Sequence, residues 1–201
     1  MMRQSPSRPW PQEDTDLESA QRDDLVQLGV WMFLATLVML FAAFTSAYIV
    51  RRSASDWTPI ELPGIVWVNT GVLVASSAAL ERARRASVQG KMAGTTYGVA
   101  AAAGLGLLFL AGQVTVWREL GAHGVYLPTS PHSSFFYVLT GVHAVHVAAG
   151  LVLLIYTATR VAHLSARLDR RASARLVTAA ATFWHFLAAL WLYVFVLVTV
   201  F

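Results

Sequence analysis

The sequence predicts an all-α, polytopic membrane protein with five transmembrane helices. Three observations carry that expectation. First, hydrophobic residues make up 56% of the 201-residue chain and charged residues only 13%, with a mean hydropathy of +0.55. Soluble domains carry roughly 25% charged residues. Second, the apolar residues fall in five runs, 26–50, 65–80, 95–117, 134–159 and 177–201, none of which contains Asp, Glu, Lys or Arg. Third, the basic residues lie between those runs. Despite a pI near 9.9, such a distribution encodes membrane topology and not a phosphate-binding face, so no nucleic-acid partner is expected.

Residues 1–24 carry Pro6, Pro9 and Pro11, then Glu13, Asp14, Asp16, Glu18, Asp23 and Asp24. They are expected to form a mobile polar tail, without the apolar core of a secretory signal peptide. The first span, about 25–50, closes with Arg51 and Arg52. The loop after it, with Asp56, Trp57, Pro59, Glu61 and Pro63, reads as extended and interfacial. The second span, about 64–80, is short and ends in Glu81, Arg82, Arg84 and Arg85. The third, about 95–117, is rich in Gly and Ala, which permits close helix approach. A loop with Gly121, Gly124, Pro128 and Pro131 leads to the fourth span, about 134–159. A basic loop with Arg160, Arg167, Arg170, Arg171 and Arg175 precedes the fifth, about 176–200.

Residues 25–201 are thus expected to form one five-helix domain, with no soluble domain to carry separate chemistry. Twelve of the 15 Lys and Arg sit in the tail and in the loops after the second and fourth spans, leaving only Arg51, Arg52 and Arg118 on the other side. The positive-inside rule therefore puts the N-terminus in the cytoplasm and the C-terminus outside, on the periplasmic face.

Zero cysteines exclude disulfides, thiolate metal sites, Cys-linked haem and thiol catalysis. Spans without carboxylates make a poor pathway for protons or cations. The polar groups of interest are His143 and His146, three residues apart in the fourth span, and His185 in the fifth. An ionisable side chain inside a span faces protein and takes a partner. His146 and His185 are the pair a bis-histidine membrane cytochrome would need. The alternative is that each imidazole stays neutral and bonds across a helix interface, with Gln113 and Asn69 as further interhelical polar groups. With no other His pairs, the second reading is preferred. Copper or zinc would lack a supporting carboxylate or thiolate. Gly141 and Gly150 are expected to allow close packing, and Trp184 and Trp191 to pack deep in the fifth helix. Arg82, Arg84, Arg85 and Arg160 are candidates for anionic lipid headgroups.

Taken together, LGVWMFLATLVMLFAAFTSAYIV, the Asn69–Thr70 pair, Gln113 with Trp117 and Leu120, FFYVLTGVHAVHVAAG and FWHFLAALWLYVF resemble subunit III of haem–copper terminal oxidases. The likeness is to the short five-helix form of cytochrome c oxidase subunit III. It runs from Leu28 to Phe195. It implies a non-catalytic accessory subunit, with no cofactor of its own, in a complex that reduces oxygen with electrons from cytochrome c and pumps protons. Haem and copper would sit in partner subunits. The implied partners are the catalytic subunit I, subunits II and IV, and phospholipids, in the inner membrane of a bacterium. A quinol oxidase or nitric oxide reductase of the same superfamily is the alternative assembly. Three family carboxylate positions correspond to Leu37, Val116 and Ala188 here, so no carboxylate-dependent role is carried over.

Overall fold

The computed structural model describes residues 12–60, 62–166 and 170–200. It contains five helices: α1 (Gln12–Arg52), α2 (Ile65–Val88), α3 (Met92–Ala122), α4 (Pro131–Ala166) and α5 (Arg170–Val200). No strand occurs among the described residues. Four helices contain segments long and apolar enough to cross a membrane: Leu28–Arg52, Met92–Ala122, Pro131–His163 and Ala172–Val200. The fifth expected span is the helix α2, whose shorter apolar run is diluted by Asn69, Thr70, Ser76 and Ser77 before Glu81 ends it. Residues 1–11 of the expected tail lie outside the described residues, whereas the backbone is already helical from Gln12.

Helices α2, α3, α4 and α5 close a ring, each packing on its two neighbours, and α1 lies outside it against α4 and α5. Only Leu34, Leu37, Phe41 and Tyr48 of the α1 span are buried. Their three-, four- and seven-residue spacings place them in one narrow seam. The outward residues Trp31, Met32, Phe33, Val38 and Met39 are exposed, as expected of a surface whose solvent is hydrocarbon.

Two helix ends show how sequence sets the turns. At the end of α2, Gly90 adopts φ 72°, with Lys91 N–H donating to the Ala86 carbonyl (2.9 Å) and Gly90 N–H to that of Ser87 (3.1 Å). At the end of α3, Gly124 adopts φ 77°, with Val125 N–H donating to Leu120 (3.0 Å) and Gly124 N–H to Gly121 (3.0 Å). Both are Schellman caps, which satisfy the last carbonyls and require a residue comfortable at positive φ. At the same end of the bundle as Gly124, Ile60 N–H donates to His132 Nδ1 (3.0 Å). Trp57 stacks on the same imidazole at 4.9 Å, and Tyr48 meets the Trp57 ring edge-on at 5.1 Å. The α1–α2 loop is thereby fastened to the start of α4.

Candidate functional site

The interior of the ring is built on two tryptophans of α5. Trp184 is 1% exposed and its Nε1–H donates to Ser76 Oγ of α2 (3.1 Å), which in turn donates to the Ala102 carbonyl of α3 (2.8 Å). Its ring fits because Gly106 and Gly150 face it: a Cβ on Gly106 would lie 2.7 Å from the ring, and one on Gly150 3.2 Å from it and 3.0 Å from Leu187. Two turns on, Trp191 Nε1–H donates to Thr70 Oγ1 of α2 (3.0 Å). The close packing expected at Gly141 is absent, since nothing lies within 4 Å of a Cβ built there. The glycines on which a Cβ would crowd a neighbour are instead Gly98, which faces Ala83, Gly112, which faces Asn69, and Gly106 and Gly150, while Gly94 and Gly121 make only ordinary contacts. Gly141 lies on a less crowded part of α4, a distinction that composition does not carry.

The three histidines go to three different places. His143 is fully buried between Phe109 of α3 (6.1 Å) and Trp191 of α5 (5.1 Å), and neither ring nitrogen has a hydrogen-bond partner. Its contacts across the helix interface are with aromatic rings and not the hydrogen bonds expected from sequence. His146 Nδ1 turns back on the Val142 carbonyl of its own helix (2.7 Å), with its ring against Phe41 of α1 at 6.3 Å. His185 Nδ1 meets Ser77 Oγ of α2 at 2.5 Å, and Nε2 lies 3.6 Å from Glu81 Oε2. The pair considered for haem is therefore split: His146 faces α1 and His185 faces α2. Gln113 and Asn69 are both buried, and the Gln113 amide atoms and Asn69 Nδ2 lack partners.

At the end of the bundle carrying the basic loops, Glu81 is the organising residue. It accepts from Arg84 (2.7 and 2.8 Å) and from Arg85 (2.8 Å). These two guanidinium groups hold its carboxyl down to about 2. Two of the arginines considered for lipid headgroups thus already serve Glu81. Arg82 is exposed, and Arg160 donates to the Tyr156 hydroxyl (3.0 Å) while lying over that ring. Ser76 and Ser77 carry the interhelical hydrogen bonds expected of polar groups in a span, whereas sequence reasoning missed Glu81 as a histidine partner and missed His132 and Thr70 as tertiary contacts. The four-residue spacing of Ser77 and Glu81, which puts both on one helix face, was the available signal for the first. The family carboxylate positions Leu37 (3% exposed), Val116 (0%) and Ala188 (7%) are all buried and apolar.

Comparison with known proteins follows the same lines. A family model described as cytochrome c oxidase subunit III matches residues 18–201. A probable cytochrome c oxidase subunit 3 of Mycobacterium tuberculosis (strain ATCC 25618 / H37Rv) is 30% identical over 188 residues, covering 90% of this chain and 91% of its own. Cytochrome c oxidase subunit 3 of Synechocystis sp. is 33% identical over 186 residues, covering 87% of this chain and 75% of its own. A probable counterpart from Nocardia farcinica is 29% identical over 185 residues, with 89% of each chain covered.

Proposed function

The chain belongs to the cytochrome c oxidase subunit III family, and from that membership we propose that it braces the haem- and copper-bearing subunit I without carrying a redox centre itself. The observation behind this reading is the chemistry of the spans. The five apolar runs contain no Asp, Glu, Lys or Arg, and the two tryptophans and four glycines that organise the interior serve packing. Rigidity is what such a bundle supplies. The reaction of the assembly is oxygen reduction by cytochrome c coupled to proton pumping, and its chemistry belongs to other chains, subunits I and II among them, with subunit IV as a further companion. The membrane is the inner membrane of a bacterium, with the basic end of the bundle in the cytoplasm. There Arg82 and Arg160 supply positive charge for anionic phospholipid, each at about 1 kcal/mol.

Deleting the chain tests the reading. The remaining oxidase should keep its haem spectrum and its initial turnover per haem, and should lose activity sooner under sustained turnover or assemble in lower yield. A deletion that abolishes initial turnover in a fully assembled, haem-replete remainder would overturn it.

A further inference from the structure

Asn69, Gln113 and His143 combine nearly complete burial with unmet hydrogen-bonding capacity. Their exposures are 4%, 1% and 0%. Asn69 Nδ2, Gln113 Nε2 and Oε1, and both ring nitrogens of His143 have no partner. The contacts place the three at one level of the ring. Phe109 touches His143, and Trp117 Nε1–H donates to Thr140 Oγ1 (3.1 Å). Gln113 lies one helical turn from each of these α3 aromatics, so it stands level with 140–143 of α4. Asn69 packs on Gly112, the neighbour of Gln113. Trp191 closes the layer from α5, touching His143 and bonding Thr70, the neighbour of Asn69.

We propose that this layer is a binding site for internal water, one or a few molecules bridging Gln113 and His143 and reaching Asn69 between α2, α3 and α4. The class of ligand follows from the inventory of free groups. Two amide NH2 groups and one N–H of a neutral imidazole donate; the Gln113 oxygen and the other imidazole nitrogen accept. An anion would meet the acceptors, and a cation would meet the donors with no carboxylate to hold it. A small neutral molecule that both donates and accepts fits, and water does so with about three bonds. Neighbouring hydroxyls have no proton left to donate to the free acceptors. Thr70 Oγ1 donates to the Val66 carbonyl (2.8 Å) while accepting from Trp191. Thr140 Oγ1 donates to the Phe136 carbonyl (2.7 Å) while accepting from Trp117. Inside a membrane bundle no bulk water is at hand to satisfy the five atoms left over.

The test is a density map of the full chain in its native membrane assembly, at a resolution that shows ordered water. The expected result is a peak within hydrogen-bonding distance of a His143 ring nitrogen and of the Gln113 amide, lost in Gln113→Leu. Direct bonds among the three side chains with no peak between them would overturn the proposal, as would a peak that Gln113→Leu leaves unchanged. Should Gln113→Leu fail to assemble, the wild-type map decides alone.

Discussion

Glu81 stands where the apolar run of α2 ends and draws Arg84, Arg85 and His185 towards one carboxylate. Its carboxyl is held at about 2 instead of the ordinary 4.5. A depressed carboxylate stabilises the fold above its unfolded pKa, and that contribution fades as the pH falls from 4.5 towards 2. A solvent-screened pair of this kind is worth about 1 kcal/mol. Glu81→Gln should therefore lower thermal stability modestly at neutral pH, with the two proteins converging under acid. A gap that stays constant across that range would show that the ion pairs contribute nothing. His185 was legible in the sequence as a span histidine needing a partner. Its partner was not, because Ser77 and Glu81 lie on another helix and only the α2–α5 register brings them together.

At the scale of the helix, the glycines of α3 and α4 are not equivalent. Gly106 and Gly150 make room for the Trp184 ring, whereas Gly141 faces open space. Gly106→Ala puts a methyl 2.7 Å from that ring and should cost about 1–3 kcal/mol as overpacking. Gly141→Ala should be neutral or stabilise by up to about 1 kcal/mol, since alanine is the better helix former. Melting temperatures of the two variants in detergent decide the matter, and equal shifts would contradict the packing. Trp184→Phe should also lower the melting temperature, by removing ring area and the Nε1–H bond to Ser76. Ser76 would keep its bond to the Ala102 carbonyl. The existence of the helices was plain from the charge-free runs. Their ends were not: α2 continues to Val88 and α3 to Ala122, past the charge-free runs that close at Leu80 and Trp117, because the Schellman caps at Gly90 and Gly124 fix the stop and not the first charged residue.

For the molecule as a whole, a closed ring of four helices with α1 appended leaves a long apolar face on α1, where Met39 is 74% exposed. Sequence patterning could not have given this arrangement. Hydrophobicity all round a span says that it meets lipid or protein and does not say which. The family was legible, through the histidine- and tryptophan-bearing segments of α4 and α5, and the interior they build underlies the bracing role proposed above. Affinity purification of the tagged full chain from its native membrane, followed by visible spectroscopy of the complex and of the separated chain, tests that account most directly. The chain should bring down a large haem-bearing subunit, and the Soret band should remain with that subunit. A Soret band that stays with this chain, or a chain recovered without any haem-bearing companion, would contradict it.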